Sequence, residues 1–193
     1  MPKCQFGVVR LGVVILLLIS SSLPFAADEK PLPGGQSFGD WVVRCNSAEK
    51  PLITCVMTQM AIVEASSEQL MRINIAYQAS FTAGVTDPSE EKTTIQITLP
   101  LGISLHKSPQ LFIEGMLRED APIGICLADG CYSTFALNEK LLAELLKMNK
   151  GAMRVQAGNG EYYDLPISGK GTRAAYRAML TIARKLMQGL PKR

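Results

Sequence analysis

The stretch Met71-Arg72-Ile73-Asn74-Ile75-Ala76-Tyr77-Gln78 changes character at every step: Met71, Ile73, Ile75 and Tyr77 alternate with Arg72, Asn74, Ala76 and Gln78. Successive residues of a β-strand point to opposite faces, so this pattern predicts a strand with one dry and one wet face. Thr94-Ile95-Gln96-Ile97-Thr98-Leu99 repeats it, Trp41, Val43 and Cys45 share a face upstream, and Met153 and Val155 alternate with Arg154 and Gln156. Half-buried strands of this kind belong to antiparallel sheet. Further strands are predicted at 53–63, 103–106, 110–117, 123–127, 132–137 and 162–167. Turn signals recur about every ten residues, so the fold class is mainly β, an antiparallel sandwich or barrel-like domain. Residues 82–92, with Gly84, Asp87-Pro88 and Glu90-Glu91, form the longest predicted loop, and no internal repeat is visible.

Two helices interrupt the alternation. Asn138 is an N-cap for a short internal helix over 139–149, with Leu141, Leu142, Leu145 and Leu146 on one side and Gly151 beyond its end. A C-terminal amphipathic helix is predicted over 172–187. Ala175, Met179, Ile182 and Leu186 fall on its apolar stripe, and Arg173, Arg177 and Arg184 on the opposite side.

The 193 residues are 47% hydrophobic and 19% charged, which excludes a disordered tail or a long charged coil. A net charge of +3 gives no reason to expect nucleic acid as a partner. It conceals an asymmetry: residues 168–193 carry seven basic side chains and no acid, whereas residues 28–167 carry 11 basic and 17 acidic ones. The C-terminal helix is therefore expected to cover its own sheet, with its basic face either solvated or offered to an anionic surface.

Lys3 and Arg10 precede the apolar run 11–19, and Ser20-Ser21-Ser22-Leu23-Pro24-Phe25-Ala26-Ala27 follows it. A charged start, a short apolar run and small residues at the end predict a signal peptide over 1–27, cut after Ser22 or Ala27. The run is shorter than the roughly 20 apolar residues that span a bilayer, so the chain is not expected to be an integral membrane protein. Residues 28–37 then form a flexible lead-in rich in Pro and Gly, and 38–193 a single β domain.

Removal of 1–27 leaves Cys45, Cys55, Cys126 and Cys131. An even count in an exported chain predicts two disulfides with three connectivities, and the spacing favours the local pairs. Asp129-Gly130 is a strong turn signal between two apolar runs, and facing strand residues lie close enough for a cross-strand bridge. Zinc is the competing use of four cysteines, but the ligand spacing is absent. No cofactor is expected.

Catalytic signatures are lacking. There is no Gly-x-Ser-x-Gly elbow, and the one histidine, His106, is placed on the polar side of its predicted strand with no acid nearby. Ser168-Gly169-Lys170-Gly171-Thr172 has the look of a phosphate loop without its spacing. Glu119 and Asp120 are predicted in a turn before Pro122, and Cys-x-x-Cys is missing.

Phe38-Gly39-Asp40-Trp41-Val42-Val43-Arg44-Cys45, followed by Cys55-Val56-Met57-Thr58-Gln59, resembles the opening of the invasion-associated locus B family of Gram-negative bacteria. Leu99-Pro100-Leu101-Gly102, the Cys126…Gly130-Cys131 hairpin and Gly171…Ala175…Ala178 continue the resemblance, with Thr172 and Arg173 where the family has Gly-Phe. The resemblance implies an exported, mostly β protein without established catalytic residues. Some members are linked to host-cell invasion, but others occur in free-living bacteria. In the motif, Trp41 is expected in the core, Gly39 at a tight entry to the strand, and Asp40 accepting backbone N–H groups. The expected function is thus an exported binding or structural protein of the envelope, periplasmic or secreted, with an unidentified protein or envelope partner. The alternatives are a periplasmic hydrolase using unidentified carboxylates and a peptide-binding, chaperone-like module.

Overall fold

The structure is a computed structural model that describes residues 35–46, 52–63, 68–80, 88 and 90–188, the side chains of 62, 63 and 68–70 excepted. The predicted signal peptide and most of the lead-in lie outside the described residues. The elements follow in chain order as β1 (Gln36–Phe38), β2 (Trp41–Asn46), β3 (Leu52–Val63), β4 (Glu68–Ser80), β5 (Glu90–Leu99), β6 (Gln110–Ile113), β7 (Met116–Asp120), β8 (Ile123–Leu127) and β9 (Gly130–Ala136). After these come α1 (Glu139–Leu145), β10 (Lys150–Gln156), β11 (Tyr162–Ser168) and α2 (Thr172–Gln188).

Every strand pairing is antiparallel, in a seven-stranded sheet of order β1-β2-β3-β4-β5-β9-β8 and a four-stranded sheet of order β11-β10-β6-β7. Among the described residues the arrangement is sandwich-like, with no closed barrel. Met57, Ile75, Ile95 and Phe135 face one another across β3, β4, β5 and β9. The same face carries Trp41, Val43, Ile73 and Ile97, all fully buried. Leu111, Ile113, Met153, Val155, Leu165 and Ile167 of the smaller sheet join them in one core, as do Ala175, Met179 and Ala183 of α2. Helix α2 lies on β1, β2 and β3. Each large side chain fully withdrawn from water contributes about 1.5–3 kcal/mol, so this continuous core is the main stabilising feature.

The other face of the larger sheet is wet. Val42, Thr58, Asn74, Gln96 and Thr134 lie in one row across five strands. Within it, Thr58 Oγ1 donates to Asn74 Oδ1 at 2.9 Å, and Asn74 Nδ2 to Gln96 Oε1 at 3.4 Å.

Several expectations need correction. The predicted strand 110–117 is a hairpin: β6 turns at Glu114 (φ 50) and Gly115 (φ 77) into β7, which places Glu119 and Asp120 in a strand. The predicted strand 103–106 reduces to a single bridge between Ile103 and Ala157, and His106 is exposed in the loop that follows. Helix α1 does start at the Asn138 cap, whose Oδ1 accepts Leu141 N–H at 2.8 Å, but it ends at Leu145. Gly151 belongs to β10, where the Phe112 carbonyl would lie 3.0 Å from any Cβ. Gln36 and Ser37, read as lead-in, are in β1, and Glu90, Glu91 and Lys92, read as loop, begin β5.

Candidate functional site

Gly39, Asp40 and Trp41 form half of a clasp. Gly39 makes the β1–β2 turn at φ 60, and a Cβ there would lie 2.5 Å from the Lys170 carbonyl oxygen. Gly171, at φ 88, approaches in return: a Cβ on it would fall 1.9 Å from the Phe38 oxygen. Left-handed backbone and this proximity both call for glycine. Asp40 N–H donates to Lys170 O at 3.1 Å, and Trp41 Nε1 to Ser168 O at 3.1 Å. The Asp40 carboxylate accepts the Ser168 hydroxyl at 2.6 Å, a side-chain donor in place of the backbone N–H groups expected. Buried Gln59 completes the join with its amide, accepting Ser168 N–H at 2.8 Å and donating to Ser168 O at 3.2 Å. The motif thus fastens the first hairpin to the entrance of α2.

Cys45 and Cys55 are bonded directly across β2 and β3, and Cys126 and Cys131 across β8 and β9, with Cα atoms 4.0 and 3.9 Å apart. Among the described residues, no group of three or more His, Cys, Asp or Glu gathers as a metal set.

On α2, Arg173, Arg177, Arg184 and Lys185 are exposed. Arg173 Nε donates to Leu146 O at 3.3 Å, while the described residues offer the other three no ion pair. Among the described residues, no helix is long and apolar enough to cross a membrane.

A cleft of about 350 Å³ opens where the core face of the larger sheet runs between the two helices. That volume lies within the small-ligand range of roughly 300–1,000 Å³. Tyr77 and Thr93 are directly paired on β4 and β5, and Glu91 is the diagonal neighbour of Tyr77 on the same face. Tyr176, Leu180 and Arg184 line one wall at helical spacing on α2, and Leu137, Glu139 and Leu142 the other. The α1 wall is held in place by Leu137 N–H, which donates to Thr93 O at 3.0 Å. Tyr77 is only 5% exposed. Burial, and then the hydrogen bond to Glu91, push its phenol up to about 12, with Arg184 opposing them electrostatically. Leucine walls around a buried phenol, with Glu91, Lys92, Glu139 and Arg184 nearby, suit binding of a partly apolar molecule.

A second cleft, of about 400 Å³, lies on the outer face of the smaller sheet and is lined by Gln110, Arg154, Tyr162 and Asp164. Its charges already serve one another. Arg154 forks onto Asp164 at 2.7 and 2.8 Å, lies 4.5 Å over the Phe112 ring, and its bonds hold the Asp164 carboxyl below its usual range. Gln110 Nε2 donates to Asp120 Oδ1 at 3.1 Å. These are cross-strand pairs stabilising a sheet face. The first cleft is therefore the better candidate site.

Sequence reasoning placed Tyr77 in the core and Arg184 on a solvent stripe, without bringing them together. The available signal was the single tyrosine in an otherwise aliphatic core-face series, since a buried phenol needs a partner for its hydroxyl.

Comparison with known proteins follows the fold. The chain is similar to invasion associated protein B from Bartonella henselae, whose crystal structure superposes with a TM-score of 0.62 at 14% identity, over 77% of this chain and 96% of that one. No curated protein matches the sequence. The family model described as "Invasion associated locus B (IalB) protein" matches residues 41–180, which take in both disulfides, β2 to β11 and the first half of α2. The chain belongs to the invasion associated locus B protein family.

Proposed function

We propose that this chain is exported and acts without catalysis as a binding protein of the cell envelope, periplasmic or secreted. The cleft between α1 and α2 takes its ligand, a small molecule with an apolar body and an anionic or polar end. The observation that carries this reading is Tyr77, a nearly buried phenol flanked by Glu91 and Arg184 between walls that include Leu137, Leu142 and Leu180. Two cross-strand disulfides and the family membership support an extracytoplasmic setting.

Titration with 8-anilinonaphthalene sulfonate, an anionic amphipathic fluorophore, tests the site. One saturable class of site is expected, blocked by Leu142→Trp and weakened by Arg184→Glu, with Tyr162→Ala on the other cleft as the neutral control. Fluorescence that ignores both substitutions refutes the assignment. Export is checked by the mass of protein recovered outside the cytoplasm, expected to lack about 22–27 N-terminal residues. An intact Met1 refutes it.

A further inference from the structure

On the outer face of the smaller sheet, Asp164, Arg154, Gln110 and Asp120 are directly paired from β11 through β10 and β6 to β7, so their side chains form one straight row. At about 4.8 Å per strand the row is about 14 Å long. Each member is held by a neighbour. Arg154 donates Nε–H and an Nη2–H to the two Asp164 oxygens, and Gln110 Nε2 donates to Asp120 Oδ1. The Phe112 ring, 4.5 Å from the Arg154 guanidinium, supports it from below. Hydrogen-bonding capacity remains at every position: further N–H groups on Arg154, Oε1 and a second N–H on Gln110, and free lone pairs on both carboxylates. The Arg154 and Asp164 side chains are 41% and 48% exposed, so these groups reach solvent. Tyr162 stands at the β11 end, on the same face as Asp164 and lining the same cleft of about 400 Å³. It is 57% exposed, and its hydroxyl has no hydrogen-bond partner among the described residues, whereas the Tyr163 hydroxyl is tied to Glu161 at 2.6 Å.

We infer that this face is a binding site for a neutral sugar chain, with one pyranose ring stacked on Tyr162 and the hydroxyls of the chain laid on the row. A pyranose presents an apolar face of slightly positive C–H groups, which suits the negative face of a phenol ring. Its hydroxyls each donate and accept, so they need donors and acceptors side by side. The row supplies them in turn: acceptor at Asp164, donors at Arg154, both at Gln110, acceptor at Asp120. Charge turns away other occupants. The Arg154 cation is matched by Asp164, and Asp120 adds a further negative charge, so an anionic ligand is disfavoured. Among the described residues no carboxylate group gathers that would hold a metal ion. A wholly apolar ligand would strip water from the polar row without replacing its hydrogen bonds. A straight row on an open sheet face fits a flat ribbon, such as β-1,4-linked hexoses, better than a coiled chain. The site shares no residue with the cleft between the helices, so it goes beyond the ligand proposed there and stands or falls separately.

Isothermal titration calorimetry of the mature, oxidised chain with cellotetraose, a neutral β-1,4-linked chain, tests this. One ring contact and a few solvent-exposed hydrogen bonds give an expected dissociation constant on the order of 0.1–1 mM. Maltotetraose, whose α-links curve the same hexoses, should bind more weakly. Tyr162→Ala should weaken cellotetraose binding by at least about tenfold, and Tyr162→Phe, which keeps the ring, by less than about threefold. Gln110→Ala should weaken it by about fivefold through lost hydroxyl contacts. Circular dichroism and thermal melting verify that each variant is folded, as expected for side chains on an exposed sheet face. Saturating 8-anilinonaphthalene sulfonate should leave the affinity for the sugar unchanged. A wild-type chain that shows no binding up to about 10 mM cellotetraose overturns the inference. Tyr162→Ala binding as tightly as wild type, maltotetraose binding as well as cellotetraose, or displacement of the sugar by the fluorophore overturns it as well.

Discussion

Replacing Gly171 by alanine tests the clasp, and Gly160→Ala supplies an internal reference. The two glycines have nearly the same backbone, φ 88 and φ 91, but a Cβ on Gly160 meets nothing within 4 Å, whereas one on Gly171 would lie 1.9 Å from the Phe38 carbonyl oxygen. Both variants bear the left-handed cost of an L-residue, about 1–2 kcal/mol. Only Gly171→Ala must also push the β1–β2 turn away from the β11–α2 turn. That movement breaks Asp40 N–H to Lys170 O, Trp41 Nε1 to Ser168 O, and the Ser168 hydroxyl to Asp40. At about 1 kcal/mol for each neutral bond, and somewhat more for the one to the carboxylate, the difference between the variants is about 3 kcal/mol. For a chain of this size it corresponds to a melting temperature about 6–12 °C lower than that of Gly160→Ala. Urea unfolding followed by circular dichroism measures both. Trp41 is the only tryptophan and is fully buried, so its emission reports the clasp directly. Equal losses in the two variants would refute the reasoning, because the interlocked turns would then contribute nothing beyond backbone strain.

Three further outcomes are expected. Peptide mapping without reduction should recover Cys45–Cys55 and Cys126–Cys131, and removing either pair should cost about 2–3 kcal/mol, because each closes a short loop; a Cys45–Cys126 peptide would contradict the pairing. Tyr77 titrates at about 12 in the fold against 10.0 for the free side chain, so below pH 10 it is protonated in both states and nothing is lost. As pH rises from about 10 to about 12 the unfolded chain alone releases the proton, and stability should fall by about 3 kcal/mol; a Tyr77→Phe variant whose alkaline decline matches wild type would disprove this. Changing Arg173, Arg177 and Arg184 together to Gln should alter stability by less than about 0.5 kcal/mol each but weaken attachment to anionic vesicles, which should itself decline with salt. Unaltered attachment would make α2 solely a cover for the sheet.

The long strands were legible because one-sided burial imposes period two on β2, β3, β4 and β5. The helix starts were legible from Asn138 and from the apolar stripe of α2. The β6–β7 hairpin was not, because its turn places a glutamate at positive φ and apolar residues run on through it. There, Glu114 compensates locally: its carboxylate accepts the Asn149 and Lys150 N–H groups at 2.5 and 3.3 Å, which holds it below the usual carboxylate range. The premature end of α1 reflects tertiary demand overriding a leucine periodicity: Met148 must be buried and Gly151 must pass close to Phe112. The cleft was least legible. Tyr77, Glu91, Leu142 and Tyr176 come from separate elements, and local pattern says nothing about which of them meet.

The clasp also sets when the chain can finish folding. Asp40 and Trp41 find their partner at Ser168, 128 and 127 positions later, so nearly the whole sequence must be present before the first hairpin is locked. Contacts of such long range form late, after the loop entropy of the intervening chain has been spent. β2 can pair locally with β3, but the β1–β2 turn lacks its partner until the entrance of the last helix arrives. For a chain proposed to be exported, this ordering ties the locking of its first hairpin to the arrival of its C-terminal helix.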